Sequence, residues 1–382
     1  MKKVALFYKT FSTYGGQEKV VYNFAHFLAE KGYRVEVYAY KVKASPELPG
    51  VVVKKVFIPN LGRAFRNLSF ALRSYFIARR LKEEGYIIVG FGKTFYQDLF
   101  RAGGGVHKYY VERAKYKYVS EVGRRLYSLR KKLLPSYWIT SFIEKLTFES
   151  SHLKAVIVPT DFVKGQILKF YSPKARLVVI RNGVDLERFS PTKRYLGKEL
   201  RKELGIPEGV FVFSYVSTNF ELKGFQYLLK ACEILRRKGL NFKLIAAGEE
   251  GNRWRREVER RGLKDTVYLL GRIKEVERVY LAGDFFVYPT LFDASSNAVL
   301  EAMACGIPVI ASRYSGTGEL VVNGVSGFLV DSPENPQEIA RKMELALKSP
   351  FREMGSSARR EVEKYPQERV FEEYEKLLRS LY

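Results

Sequence analysis

At 382 residues, with 46% hydrophobic and 28% charged residues, the chain exceeds the usual single-domain size; this excludes a disordered class and predicts two domains of roughly 150 to 200 residues. Its formal net charge of +25 is uneven, with 28 Lys and Arg against 11 Asp and Glu in residues 1–150. That excess calls for an anionic partner (nucleic acid, anionic lipid or a phosphorylated substrate), with a solvated basic surface as the alternative. The two cysteines, Cys232 and Cys305, show no metal-ligand spacing and are expected in the core, no run of about 18 apolar residues occurs, and the N-terminus lacks signal-peptide character, so a cytoplasmic protein is predicted.

The opening reads as a βαβ unit: a strand at 3–8, a turn at "STYGGQE", a helix, and a strand "YRVEVYAY". Val20, Val21, Phe24, Phe27 and Leu28 recur at helical spacing, and Gly32 closes the helix. Residues 60–150 are less regular, with basic and aromatic stretches around a strand "YIIVGFG". The pattern returns at 153–160, "LKAVIVPT", read as the final strand of the first sheet, and "RLVVIRNGVDLERFSP" adds a short strand before Pro191, where the domain boundary is predicted. Beyond it, strands "VFVFSYVST", "FKLIAAG", "TVYLLG", "FFVYPT" and "PVIAS" alternate with helices. That alternation predicts a second parallel sheet covered on both faces, hence two Rossmann-like, doubly wound domains with a cleft between them. The boundaries are 1–190 and 191–364, and an amphipathic helix at 365–382 carries Val370, Phe371, Tyr374, Leu377 and Leu378 on one stripe, placed to pack back on the first domain or to cap the second.

Neither half carries G-x-G-x-x-G after its first strand, and no P-loop, nucleophile elbow, H-E-x-x-H or Cys-x-x-Cys occurs, so chemistry would rest on carboxylates, backbone amides and cations. The stretch "LFDASSNAVLEAMACGIPVI" follows a predicted strand and enters a helix whose first amides, near Ser296, Asn297 and Ala298, lack intrahelical partners. Small side chains leave them open to a phosphate, with roughly 0.3 to 2 kcal/mol from the helix dipole. Asp293 precedes this helix and Glu301 lies about one turn inside it, both able to accept bonds from hydroxyls. An ordinary capped helix with a solvated Glu301 is the alternative.

These residues resemble the acidic-x7-acidic signature of the family 4 retaining glycosyltransferases. "VIRNGVDLERFSP", "LKGFQYLLKA", "YSGTGELVVNGVSGFLV", "GGQEKVVYNFAHFLAEKGYRVEVYA" and "DLFRAGGGVHKYY" are similar to further family segments, the last especially among lipopolysaccharide core enzymes. The resemblance implies an α/β GT-B fold, two Rossmann-like domains facing a central cleft. It implies that Glu301 holds the nucleotide ribose, Asp293 the donor sugar, and the amides of Ala294, Ser295, Ser296, Asn297, Ala298 and Val299 the sugar and diphosphate. Lys223 matches the phosphate-binding lysine and His107 the histidine near the reaction centre, so catalysis is expected at His107, Lys223 and Asp293. Gly15 and Gly16 would form a turn facing the diphosphate and the acceptor across the cleft, with a plain strand-to-helix turn as the alternative. Where the family has Glu this chain has Asp293, and Ser217 and Leu222 stand where the resemblance implies arginine, so leaving-group stabilisation is expected either to be weaker or to come from another cation, Arg272 or Arg181.

The inferred reaction is hexose transfer from a nucleoside diphosphate sugar with retention, UDP-sugar favoured and GDP- or ADP-sugar as alternatives, with no metal required. Residues 108–145 carry ten Lys and Arg against three Glu, interleaved with aromatics. Arg101, Lys108, Arg124, Arg125, Arg130, Lys131, Lys132 and Trp138 are therefore expected to meet a glycolipid or phosphorylated glycan acceptor and the anionic inner face of the cytoplasmic membrane. No RRM-like, KH or OB-fold pattern points to nucleic acid. The competing readings are a non-catalytic sugar-nucleotide or polyanion-binding protein and, more remotely, a sugar-nucleotide epimerase.

Overall fold

The computed structural model of the chain describes residues 2–382 apart from 14, 47–48, 60–61 and 249–251. Tyr14, inside the predicted turn, lies outside the described residues. The chain divides into two compact units: 1–115, 121–181 and 368–382 form one, and 116–120 with 182–367 form the other. The division thus follows Arg181 and not Pro191. The reason lies in Val184 and Phe189, which are buried in the core of the second unit, Phe189 with its ring 6.0 Å from that of Tyr280.

Among the described residues the first unit holds a seven-stranded sheet in the order Val51–Lys55, Arg34–Ala39, Lys3–Phe7, Tyr86–Gly90, Leu99–Arg101, Ala155–Val158, Arg176–Val179. All its pairs are parallel. The strand at 176–179, not the one at 155–158, is therefore the last of this sheet. The strands at 51–55 and 99–101 went unpredicted, and so did the helix Gly62–Glu83. Four strands of this sheet, Lys3–Phe7, Arg34–Ala39, Tyr86–Gly90 and Ala155–Val158, are buried nearly throughout, as expected where helices cover both faces.

The helix Gly16–Glu30 buries Val21, Phe24, Phe27 and Leu28, and Gly32 follows it with φ of 80°. The C-terminal helix Gln367–Arg379 packs its Phe371 and Tyr374 rings on Phe24. Tyr33 donates a hydrogen bond to Glu375 of this helix, so the predicted stripe lies on the first unit.

The second unit carries a six-stranded sheet in the order Val267–Leu269, Phe242–Gly248, Phe211–Ser217, Phe285–Tyr288, Val309–Ser312, Gly327–Val330, again parallel. Its core includes Phe213, Tyr215, Leu244, Phe285, Ile310 and both cysteines. Each fully buried large side chain contributes about 1.5 to 3 kcal/mol of hydrophobic stabilisation. In both sheets the first strand is central and later strands add on either side. The winding therefore reverses beside Lys3–Phe7 and beside Phe211–Ser217, and such switch points are where open α/β sheets bind ligands, beyond the carboxyl ends of the strands.

Candidate functional site

In the second unit the switch point lies between Phe211–Ser217 and Phe285–Tyr288. Lys223 follows the first strand and Asp293 the second. Gly224 joins the two segments: its φ is 76°, a conformation open mainly to glycine, and a Cβ there would overlap the Pro289 carbonyl oxygen. The close approach is locked by the Leu291 N–H, which donates to the Leu222 carbonyl at 3.0 Å. Lys223 Nζ consequently reaches Asp293 Oδ2 at 2.6 Å and the Phe292 carbonyl at 3.0 Å. The Tyr288 hydroxyl donates to the same Oδ2 at 2.9 Å, and the Ser295 N–H to Oδ1 at 3.3 Å. Asp293 is in turn fixed by backbone bonds to Tyr314 and Gly316.

The acidic helix spans Asn297–Ala304, with Ser296 as its N-cap. The structure narrows the expected cradle here. The Ser296 Oγ accepts the Val299 N–H at 3.3 Å, the Ser296 N–H donates to Thr317 Oγ1 at 2.7 Å, and the Ser295 N–H serves Asp293. Those three amides are committed inside the protein. Among the described residues the N–H groups of Asn297 and Ala298 have no acceptor, so these two are open to an anion. Asn182 Nδ2 donates to Asn297 Oδ1 at 2.8 Å and steadies the turn. Glu301 Oε2 accepts from the Tyr280 hydroxyl at 2.8 Å.

The positions that lack the relatives' arginines are turned inward. Ser217 Oγ accepts the Asn219 N–H at 3.0 Å, and Leu222 is buried. Arg272 is exposed beside Gly271, whose carbonyl accepts the Gly248 N–H at the carboxyl end of a neighbouring strand. Arg181 belongs to the first unit, 3.6 Å from Asp161.

In the first unit Gly15 caps the helix Gly16–Glu30 with φ of 100°, and a Cβ there would fall 2.6 Å from Glu18 Oε2. Gly16 faces open space. Glu18, 3.4 Å from Lys9, lies in the first turn of this helix and complements its positive end. His107 opens the helix His107–Ala114. Its N–H donates to both oxygens of Glu144, at 3.2 and 3.0 Å, and Glu144 also receives Lys93 Nζ and the Tyr171 hydroxyl. Burial, reinforced by Lys93 and Lys131, lowers the His107 pKa to about 4. The imidazole is therefore neutral at physiological pH, a hydrogen-bonding group and not a cation.

The basic segment forms two helices, Glu121–Leu133 and Pro135–Phe148. The first buries none of its residues, and Val122, Leu126, Leu129 and Leu133 stand exposed with Arg125, Arg130 and Lys132. Trp138 is 62% exposed, and its Nε1 donates to the Lys132 carbonyl at 2.7 Å. Arg124 and Lys131 are half-buried, and Lys108 lies over the Phe170 and Tyr171 rings. Arg101 is a correction: it is 2% exposed, with Nε bonded to the Tyr374 hydroxyl at 2.8 Å, so it tethers the C-terminal helix and meets neither membrane nor acceptor. Tyr280, Tyr288, Glu144 and Lys93 carried no sequence signal as site residues, whereas Asn182 and Thr317 fall inside family-like motifs without having been singled out.

Residues 14–188 match the family model described as Glycosyltransferase Family 4, and residues 197–368 match that described as Glycosyl transferases group 1. The UDP-Gal:alpha-D-GlcNAc-diphosphoundecaprenol alpha-1,3-galactosyltransferase of Escherichia coli is 29% identical over 51% of this chain and 50% of its own length. The D-inositol 3-phosphate glycosyltransferase of Corynebacterium urealyticum is 32% identical over 48% of this chain and 46% of its own. The chain thus spans about half the length of these curated relatives. Among solved structures, WaaG, a glycosyltransferase involved in lipopolysaccharide biosynthesis, superposes with a TM-score of 0.79 at 20% identity, covering 97% of this chain and 98% of WaaG. HepE of Anabaena in complex with UDP-glucose gives 0.66 at 18% identity over the whole of both chains. The shared architecture is the GT-B fold.

Proposed function

This chain belongs to the family 4 glycosyltransferases, and on that premise we propose that it transfers a hexose-type unit from a nucleoside diphosphate sugar, with retention, to an anionic, membrane-associated acceptor. The observation that carries the reading is the convergence, at one switch point, of the Lys223 ammonium, the two unpartnered amides of Asn297 and Ala298, and the carboxylates of Asp293 and Glu301. Lys223 and the helix start match a diphosphate, Glu301 the ribose hydroxyls, and Asp293 those of the sugar. Departure of the diphosphate would be eased by charge stabilisation and positioning. Retention then follows from acceptor attack on the face the diphosphate leaves, without the carboxylate nucleophile that retaining glycosidases use. UDP is the favoured nucleotide, supported by HepE, which was solved with UDP and UDP-glucose.

The acceptor reading draws on the exposed apolar and basic helix Glu121–Leu133, where each cation near an anionic surface adds about 1 kcal/mol. It also draws on WaaG's role in lipopolysaccharide biosynthesis and on the diphosphoundecaprenol-linked acceptor of the Escherichia coli relative. A lipopolysaccharide core or related cell-envelope glycolipid, met at the cytoplasmic face of the membrane, is the acceptor class we favour. The second reading, a sugar-nucleotide binder without turnover, is favoured by Ser217 and Leu222, which bring no cation to the diphosphate.

Calorimetric titration with UDP, GDP and ADP, followed by a donor hydrolysis assay, separates the two. Binding that Glu301→Ala abolishes, with hydrolysis by the intact chain, is expected; binding without hydrolysis or transfer would favour the second reading. Flotation with anionic and neutral liposomes tests docking, and equal failure to float with both would remove the membrane from the account.

A further inference from the structure

The two acids of the donor site are each held by a buried tyrosine. Tyr280 and Tyr288 stand eight positions apart, as do Asp293 and Glu301. Tyr288 donates to Asp293 Oδ2 at 2.9 Å, and Tyr280 donates to Glu301 Oε2 at 2.8 Å. Their exposures are 0% for Tyr280 and 3% for Tyr288, so neither phenol offers itself to a ligand. The rings are fixed by aromatic neighbours: Tyr280 by Phe189 and Phe286, with centroids at 6.0 and 5.4 Å, and Tyr288 by Tyr215 and Phe286, at 6.2 and 5.7 Å.

A buried phenol needs a hydrogen-bond partner. Here, in both cases, the phenol donates to a carboxylate of the site, and the Tyr288 oxygen also meets the Ser296 hydroxyl. Burial and the adjacent carboxylate raise both phenols well above their usual value, so both remain protonated donors at physiological pH. A rigid donor aimed at a carboxylate selects one of its rotamers before any ligand arrives, which is the preorganisation that electrostatic catalysis requires. At Asp293 the effect passes further, because Oδ2 also holds Lys223 Nζ at 2.6 Å.

We propose that Tyr280 and Tyr288 are positioning residues of the donor site: Tyr280 sets Glu301 for the nucleotide, and Tyr288 sets Asp293, and through it Lys223, for the sugar and the leaving diphosphate. This rests on the donor-site reading above. Phe at either position keeps the packed ring; at 280 it removes the donor to Glu301, and at 288 the donor to Asp293 together with the phenol's contact with the Ser296 hydroxyl.

The test is a pair of double-mutant cycles on the full chain. UDP, GDP and ADP are titrated into the wild type, and the nucleotide that binds is titrated into Tyr280→Phe, Glu301→Gln and the double variant. Hydrolysis of the matching nucleotide sugar is followed in Tyr288→Phe, Asp293→Asn and their double variant. Tyr280→Phe is expected to weaken binding on the order of tenfold, and Tyr288→Phe to lower kcat on the order of tenfold, as for a lost hydrogen bond to a charged acceptor. Each loss should shrink severalfold in the background where the carboxylate is already replaced by its amide, because the phenol then bonds a neutral acceptor.

A tyrosine that acts only through core packing would cost the same in both backgrounds, and that additivity would overturn the proposal. So would Phe variants indistinguishable from wild type. If the wild type binds none of the three nucleotides, the donor-site reading fails and the proposal with it. Should a Phe variant not fold, the nucleotide-bound structure decides: both phenol–carboxylate bonds intact supports the proposal, and either one broken overturns it.

Discussion

Gly224 and Gly239 lie at the two ends of one helix, Phe225–Arg237, and both adopt left-handed conformations, with φ of 76° and 74°. Their surroundings differ: a Cβ at 239 meets nothing within 4 Å, whereas one at 224 would overlap the Pro289 carbonyl oxygen. Gly239→Ala should therefore incur only the conformational penalty, about 1 to 2 kcal/mol, offset by about 0.4 to 1 kcal/mol from a stiffer unfolded chain. Gly224→Ala adds the displacement of a backbone segment that cannot swing aside, about 1 to 3 kcal/mol if treated like an overpacked core. The total is then about 1 to 5 kcal/mol, or roughly 2 to 20 °C in Tm for a unit of this size. The displaced segment carries Phe292 and Asp293, the partners of Lys223, and a misplacement of about 1 Å costs on the order of 100-fold in a positioned site. Thermal melts and UDP titrations of both variants decide the matter. Gly239→Ala should melt within about 6 °C of wild type and keep its UDP affinity; Gly224→Ala should melt lower still and lose affinity. Equal melting points and equal affinities for the two variants would refute the reasoning.

Lys223→Met should weaken UDP far more than uridine, because it removes a charge from the diphosphate and leaves Asp293 without its cation, and paired titrations with the two ligands check this. The His107 pKa is lowered from 6.5 to about 4, so the unfolded chain binds a proton in that window and the folded chain does not. Stability should fall as pH drops from about 6.5 to about 4, and His107→Gln should flatten that decline in denaturant melts. Glu36 is buried among Lys54, Tyr38 and Tyr86, at 2.7, 2.7 and 2.8 Å. Burial opposes its charge, but these hydrogen bonds prevail and bring its pKa to about 2. Its contribution is present above about 4.5 and lost as pH falls toward about 2, so Glu36→Gln should lower Tm at pH 7 and leave it nearly unchanged near pH 2.

The second unit was legible because its strands are continuous apolar runs, each followed by a helix of matching period. Residues 41–150 were harder for identifiable reasons. The edge strand Val51–Lys55 is half exposed, the strand Leu99–Arg101 has three residues and ends on a buried arginine, and the helix Glu121–Leu133, whose Val122, Leu126, Leu129 and Leu133 do recur at helical spacing, buries none of its residues. Arg101 looked like a surface cation because arginine seldom lies buried without a partner; that partner, Tyr374, is 273 residues away in the sequence. Lys223, Asp293 and Glu301 were readable from their motifs. The commitment of the Ser296 and Val299 amides, and the hold of Tyr280 and Tyr288 on the acids, depend on which groups the strand ends bring together, and no local pattern encodes that.

The most direct test of the central claim is a structure of the chain with UDP bound. The diphosphate should lie within hydrogen-bond distance of the Asn297 and Ala298 amides and of Lys223 Nζ, with the ribose hydroxyls on Glu301. A nucleotide bound elsewhere, or none at saturating UDP, GDP and ADP, would contradict it.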